Sequence, residues 1–600
     1  MNYLKDITVL VLGLGESGLA MARWCARFGA HVRVWDSRES PANAAALAEH
    51  VPSATWVRGA LTDEAFVGVN LVLKSPGLSP LDAAIAAPLN RIKETDVLVQ
   101  GELDMFAQAL SRLKAERGYA PKVLAITGTN GKTTTTAMAA MLIARTGKRV
   151  AVAGNIGPTM LQTLADALDL EPAATVAPIV PVVPFEADDV AALEAEMTLE
   201  DLIDLEALDG VTVIDVAPTD EAPEAAPPLS DDAPEPILLA PSERAAPVFE
   251  HLPEVWVLEL SSFQLDEVRG FEPSAATVLN ITQDHLDWHG SMAQYAAAKA
   301  RVFGRHAVMV VNRDDALVET LVPAPEIIKG GKGRKVVTIE RHVVRFGLGA
   351  PQRPGDFGLI DENGMAWLVR ARELDETLAR SKGGKGKSRG EGQAEAEELL
   401  IQRLMPADAL RVRGRHNAAN ALAALALATA IDCPLAPMLH GLREYAGEPH
   451  RVQYIATLDG VDAFDDSKGT NVGATVAALN GLGADKAPAR LVVILGGDGK
   501  GQDFTPLIEP VRRHARAVAT LGRDAALIEQ ALGHTGVPVQ RHDSLEAATR
   551  WSFERAHAGD AVLLSPACAS LDMFRNYAHR AEVFVAEVHA IVADHGGVAA

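Results

Sequence analysis

Cysteine is scarce in this chain, with only Cys25, Cys433 and Cys568 among 600 residues. Three thiols this far apart have no metal-ligand spacing and cannot staple a disulfide framework, a usage that fits a reducing, cytoplasmic setting. Long apolar runs are missing as well. No stretch of about eighteen apolar residues occurs, so no membrane span is expected. The opening run Ile7–Leu12 is too short for a secretory signal and reads as a buried strand. Nor is there any excess of positive charge. Lys and Arg number 56 against 79 Asp and Glu, a net charge of −23, which argues against a general nucleic-acid-binding surface.

What is present is globular. The hydrophobic fraction is 48%, and at about 150 residues per domain the length suggests three or four domains. The most informative stretch is Ile126-Thr127-Gly128-Thr129-Asn130-Gly131-Lys132-Thr133-Thr134. It follows the apolar run Lys122–Ala125 and precedes the helix-like run Thr136–Ile143. Strand, glycine turn, Gly-Lys-Thr and helix is the order a phosphate cradle needs. Backbone N–H groups and a helix N-terminus face the anion, Lys132 neutralises charge, and Thr133 can ligate Mg²⁺. Ile126 stands where the usual spacing has glycine, so the loop is a variant.

The first hundred residues alternate apolar runs (Val9–Leu12, His31–Trp35, Leu71–Leu73, Val97–Val99) with helix-like stretches, the pattern of a parallel α/β unit. Its opening carries Gly13-Leu14-Gly15-Glu16-Ser17-Gly18, with Asp36 ending the second strand. That is a dinucleotide-type fingerprint. It supports binding of some nucleotide's phosphate and ribose better than it specifies NAD or FAD. A second α/β unit begins at Lys122 and a third after Pro449.

Two stretches interrupt the pattern. About 170–250 is rich in Ala, Pro, Asp and Glu, and Arg244 is its only Lys or Arg. It reads as a solvent-facing insertion in which Glu194–Leu208 could form a short helix. About 328–399 is basic and Gly-rich and reads as irregular, with strands at Val336–Ile339 and His342–Phe346 between its Gly/Lys runs. Ala418–Ile431 reads as an Ala/Leu helix.

Chemistry concentrates at strand ends, where open α/β sheets place their sites. Glu259 ends a buried strand and is a candidate Mg²⁺ ligand. Asn280, Asp284 and His285 cluster after the next strand, whereas His289 reads as a surface residue. Lys299 follows three alanines and by composition reads as a solvated helix face. Asp466-Ser467-Lys468-Gly469-Thr470-Asn471 follows another strand, and Gly496-Gly497-Asp498-Gly499-Lys500-Gly501 presents one lysine on a glycine loop. Cys568 has no evident partner His and reads as a small buried thiol.

Taken together these motifs resemble the ATP-dependent Mur ligases of peptidoglycan synthesis. The resemblance is carried by Gly128–Thr133, Gly154–Gly157, Glu259–Gln264, Asn280–Asp287, Gly414–Asn420, Pro449–Arg451, Asp466–Asn471 and Ser565–Asp572, in family order over nearly the whole chain. It implies an α/β protein of three domains: an N-terminal Rossmann-like domain for the UDP substrate (1–105), a central P-loop-type ATPase (106–446) and a C-terminal Rossmann-like domain for the amino acid (447–600). It implies ligation of D-glutamate to UDP-N-acetylmuramoyl-L-alanine by a monomer, with ATP and two Mg²⁺ sites.

Carried over residue by residue, Gly128, Thr129, Asn130, Gly131, Lys132, Thr133, Thr134, Asn417, Asn420, Arg451 and Asp466 would hold ATP. Glu16, Ser17, Asp36, Ser37, Ser75, Gly77 and Asn155 would hold the UDP substrate. Lys468, Thr470, Lys500, Ser570, Leu571 and Tyr577 would surround D-glutamate, with Tyr577 standing where the family pattern has Phe. Thr133, Glu259 and His285 would serve metal, and Lys299 would do so as a CO₂-derived carbamate. Lys132, Lys299, His285 and Glu259 would be catalytic. Another amide ligase of this type, including a folylpolyglutamate-synthase-like one, stays open, as do a P-loop switch and an NAD-binding protein.

Overall fold

The structure is a computed structural model, and it describes residues 3–95, 97–172, 248–328, 337–373, 399–412 and 414–595. The expected Glu194–Leu208 helix and the Gly/Lys runs at 329–335 and 382–389 lie outside the described residues.

Three parallel-dominated sheets follow one another along the chain. The first comprises β1 (Thr8–Leu12), β2 (His31–Trp35), β3 (Thr55–Val57), β4 (Leu71–Lys74) and β5 (Leu98–Gln100), in the order β3-β2-β1-β4-β5. Strand order reverses beside β1, and the turn after β1 leads into helix α1 (Glu16–Arg27) at that switch point. Gly18 lets the helix sit on the turn, since a Cβ there would lie 1.9 Å from the Gly13 carbonyl oxygen. Helix α2 (Glu102–Arg117) leads into the second sheet.

That sheet is built on β6 (Lys122–Thr127), β7 (Val150–Gly154), β8 (Val255–Glu259), β9 (Ala275–Val278) and β10 (Val308–Asn312). Helix α3 (Lys132–Ala144) follows β6, and helix α4 (Met160–Leu170) follows β7. The central strands β8 and β9 are buried along their whole length, as strands covered on both faces must be. Gly131 adopts φ +83°, and a Cβ there would sit 2.6 Å from the Asn420 side chain. Helix α5 (Met292–Ala300) covers the cluster after β9.

The strands expected at Val336–Ile339 and His342–Phe346 are present, at Val337–Ile339 and Val343–Phe346, but 328–399 is more regular than its composition suggested. Strands β11 (Glu326–Ile328) and β12 (Val337–Ile339) pair antiparallel, and β13 (Val343–Phe346) completes the second sheet in the order β13-β10-β9-β6-β8-β7. Strands β14 (Phe357–Glu362), β15 (Met365–Glu373) and β16 (Leu399–Pro406) form a separate antiparallel sheet. Phe357, Leu359, Leu368 and Met405 from it are buried with the Ala/Leu helix α6 (Arg415–Thr429). The flanking Gly/Lys runs mask this alternation in composition.

The third sheet runs β17-β18-β22-β19-β20-β21, from β17 (Gln453–Leu458), β18 (Val461–Asp465), β19 (Leu491–Gly496), β20 (Ala515–Leu521), β21 (Val539–Arg541) and β22 (Ala561–Leu564). Helices α7 (Val472–Lys486) and α8 (Tyr577–Asp594) follow β18 and β22. Among the described residues no helix is long and apolar enough to cross a membrane.

Candidate active site

The carboxyl ends of β6, β8, β9 and β18 supply the central cluster. Asn280 pins the turn after β6 from both sides, accepting from the Asn130 N–H at 2.8 Å and donating to its carbonyl at 3.0 Å. Thr129 bonds Thr282 and Tyr295. With the turn so fixed, Lys132 Nζ donates to the Gly128 and Thr129 carbonyls at 2.9 and 2.8 Å. Burial lowers its proton affinity, and the Glu259 and Asp284 charges oppose that.

Lys299 is buried, contrary to the helix-face reading from composition. Its Nζ donates to the Gly128 carbonyl at 2.8 Å and lies 4.6 Å from the Tyr295 ring centre. Burial and the nearby Lys132 hold its pKa well below that of an ordinary lysine. Glu259 is buried at the end of β8 and accepts from Asn155 at 3.0 Å. His285 adopts φ +52°, lies against Phe263, and has its Nε2 3.5 Å from Asp284. Burial lowers its pKa, with Asp284 opposing.

His289 is not a surface residue. It is 6% exposed, sits 2.9 Å from Ser262 Oγ, and packs among Phe263, Trp288 and Tyr295. Burial pushes its pKa down to about 4.

A cleft beside the turn is lined by Asn130, Gly131 and Thr134 on one side and by Asn417, Asn420, Arg451 and Asp466 on the other. These expected ATP residues therefore converge. Asn420 donates to Asn417 at 3.2 Å, and Arg451 donates to the Thr133 hydroxyl at 2.8 Å. Asp466 accepts from Ser565 at 2.6 Å, and burial raises its pKa to about 7. His416 also lines the cleft, and burial depresses its pKa to about 4. Its neighbours in Gly414–Asn420 were the only signal for it in sequence.

A second cleft joins Glu16, Ser17 and Gly77 to Asn155, Ser261 and Gln264. Four expected UDP residues meet there, and Ser261 and Gln264 join them unforeseen. Asp36 sits behind the turn, accepting from the Leu14 N–H at 2.7 Å and pairing with Arg38. That Arg38 bond, together with the Leu14 N–H and against the effect of burial, holds its pKa at about 2. Ser75 is buried and donates to the Gly13 carbonyl, bracing the turn from below. Ser37 is exposed and outside the cleft.

In the third sheet, Lys468 Nζ lies 5.6 Å from the Tyr577 ring centre, and burial followed by Arg451 lowers its pKa to about 8. Thr470 is half-buried beside it. The Asp498 and Ala569 backbones pair, bringing the Lys500 loop against the loop of Ser570 and Leu571. Ser570 is buried, whereas Leu571 and Lys500 are exposed. Sequence reasoning missed Arg580, which is buried beneath and donates to the Ser467 and Cys568 carbonyls. It also missed the 2.7 Å contact of His450 with buried Asp465. Cys568 is buried, and burial pushes its thiol up to about 12.

Among the described residues no three His, Cys, Asp or Glu side chains form a ready metal cluster. The Thr133 hydroxyl is instead bonded to Arg451, the Glu259 carboxylate to Asn155 and the Lys299 amine to the Gly128 carbonyl, while the His285 ring lies beside Asp284.

Three domain models match in succession: the MurD-like N-terminal domain of Mur ligases over 7–95, the Mur ligase middle domain over 126–217 and 244–339, and the Mur ligase glutamate ligase domain over 450–568. The chain belongs to the Mur ligase family. Within it, proteins named UDP-N-acetylmuramoylalanine--D-glutamate ligase from Albidiferax ferrireducens and Burkholderia pseudomallei are each 50% identical over 590 residues. The match covers 98% of this chain in both cases and 97% and 98% of those proteins. A crystal structure of UDP-N-acetylmuramate-alanine ligase MurC from Thermotoga maritima aligns at 17% identity and TM-score 0.47, covering 98% of this chain and 100% of that one.

Proposed function

We infer that this chain is an ATP-dependent ligase that joins D-glutamate to UDP-N-acetylmuramoyl-L-alanine in peptidoglycan precursor synthesis. The observation that carries this reading is a convergence. Arg451, from the domain of the Lys468 loop, is bonded to Thr133 of the Lys132–Thr133 cradle across the cleft, and the charges of Glu259 and Lys132 both act on Lys468. Relatives at 50% identity carry the name of this reaction.

A carboxylate does not acylate an amine at neutral pH, because oxide is a poor leaving group. Transfer of the γ-phosphoryl group to the L-alanyl carboxylate gives an acyl phosphate, whose leaving group is phosphate. Lys132 offsets charge as the phosphoryl group moves. The D-glutamate amine then attacks the carbonyl carbon, the tetrahedral adduct expels phosphate, and the amine proton passes to solvent. Closing of the three domains over the cleft would keep water from hydrolysing the acyl phosphate.

Thr133, Glu259 and His285 present the oxygen and nitrogen donors that Mg²⁺ would need at two sites. Bound there, Mg²⁺ supplies neutralisation of phosphate charge. Lys299 would complete this set as a carbamate. Its buried amine favours the neutral form, whose lone pair attacks CO₂ and releases a proton, turning a cation into an acceptor carboxylate. Lys299→Ala is expected to be inactive and partly rescued by a small added carboxylate.

The N-terminal cleft would hold UDP through Glu16, Ser17, Gly77 and Asn155, with Asp36 and Ser75 shaping its turn. Lys468, Thr470, Lys500, Ser570, Leu571 and Tyr577 would hold D-glutamate. We assign domain boundaries at 1–105, 106–446 and 447–600. We place the enzyme in the cytoplasm and take it to act as a monomer. Phosphate release tests the reading: it should require ATP, UDP-N-acetylmuramoyl-L-alanine and D-glutamate together. Equal release without the UDP substrate would overturn it.

A further inference from the structure

Three loops from two domains meet at Asn471, a side chain with no part in the substrate assignments above. Asn471 is buried at the N-cap of α7. Its Oδ1 accepts from the Ala474 N–H at 2.8 Å, which turns its amine end outward. That end donates to Asn130 Oδ1 in the phosphate loop at 3.1 Å and lies 3.5 Å from Asp284 Oδ2. The next N–H, of Val472, donates to Gln502 at 3.0 Å, on the loop that carries Lys500. Lys468 and Thr470 lie just before it in the same turn. Gly473 keeps this junction tight, since a Cβ there would lie 3.0 Å from Thr282 Oγ1 and 3.1 Å from Asn130 Nδ2.

We propose that Asn471 is a positioning residue that couples occupancy of the phosphate loop to the shape of the D-glutamate pocket. This rests on the assignment of Lys468, Thr470 and Lys500 to D-glutamate. A nucleotide that fixes Asn130 also fixes the amide bonded to it. That amide fixes the start of α7, which carries Thr470 and Lys468 on one side and holds Gln502, hence the Lys500 loop, on the other. Two ligands bound to separate loops then favour one arrangement of a shared element, and the effect is reciprocal.

The test is calorimetry of D-glutamate binding to the full chain with UDP-N-acetylmuramoyl-L-alanine, with and without adenylyl imidodiphosphate and Mg²⁺. The wild type is expected to bind D-glutamate about tenfold tighter with the analogue, within the usual range of coupled sites. Asn471→Ser keeps a capping oxygen but is too short to reach Asn130. It should melt as the wild type does, yet bind D-glutamate nearly equally with and without the analogue. Gly473→Ala, which favours the helix but crowds Asn130, should lower the same ratio and covers the case in which Asn471→Ser misfolds. Lys500→Ala should weaken D-glutamate alike in both conditions. No wild-type ratio, or a wild-type ratio retained in Asn471→Ser, overturns the coupling. Unchanged binding in Lys500→Ala overturns the pocket assignment instead.

Discussion

The turns after β1 and β6 share one construction. Each joins a buried parallel strand to a helix through glycines, and each aims backbone N–H groups and a helix N-terminus at the mouth of its sheet. Their charges differ. The first turn is backed by Asp36, whose carboxylate takes the Leu14 N–H, and its helix begins with Glu16 and Ser17. The second begins its helix with Lys132 and has Lys299 bonded to the same Gly128 carbonyl. One backbone device therefore serves two tasks. In the proposed reading the first turn, stiffened from behind by Asp36, suits a diphosphate that only needs holding. Two lysines in the second suit a triphosphate that must react. Geometry makes the cradle, and the side chains around it decide the chemistry.

Removing the cation that separates the two turns should have the largest effect. Lys132→Ala is expected to lower kcat by roughly a thousandfold, the upper range for loss of one transition-state-stabilising group. Its thermal melting should stay near that of the wild type, because Lys132 bonds only turn carbonyls. Near-normal turnover would remove the distinction between the turns.

Lys500→Ala carries the comparison to the third glycine loop, where the proposed function sets a cation before an incoming dicarboxylate. Loss of a charge-assisted hydrogen bond costs about 1.5–3 kcal/mol, so the KM for D-glutamate should rise roughly ten- to a hundredfold, with that for ATP nearly unchanged. An equal rise for ATP would place Lys500 in the wrong pocket.

Asp36→Asn keeps the shape behind the first turn and removes its charge. Loss of about 1 kcal/mol of bonding should raise the KM for the UDP substrate by about three- to tenfold, leaving kcat and the ATP KM in place. A drop in kcat with unchanged KM would show that the first turn takes part in catalysis.

The smallest effect is expected from deleting Val176–Ala246 and rejoining the ends with a short Gly/Ser linker. The Glu171 carboxylate accepts the N–H groups of Glu250, His251 and Leu252, each at 2.8 Å. The two ends are thus pinned together without the segment between them, so closure by a short linker costs little. Activity should stay within about twofold. Its loss in a folded deletion variant would give the acidic stretch a part in the reaction.

Both turns were legible because their information is local: strand, glycines and helix adjoin in sequence, Lys132 opens the helix after β6, and Asp36 follows β2. Glu259, Asp284 and His285 were legible for the same reason. What escaped was set by distant partners. The burial of His289 depends on Ser262, Phe263 and Tyr295, and no periodicity within its four-residue helix reports that. Arg580 bonds a carbonyl 113 residues away, and Asn471 meets Asn130 across 341. Strands β14–β16 were hidden by the Gly/Lys runs around them, although Phe357, Leu359 and Leu368 lie at the alternating positions that face the core.

Activation of a carboxylate by ATP is tested most directly with UDP-N-acetylmuramoyl-L-alanine carrying ¹⁸O in its alanyl carboxylate. If an acyl phosphate forms and the D-glutamate amine displaces its phosphate, one ¹⁸O atom appears in each phosphate released, in step with amide formed. Phosphate that carries no ¹⁸O while amide accumulates would contradict the acyl-phosphate route and the role given to the Lys132 cradle.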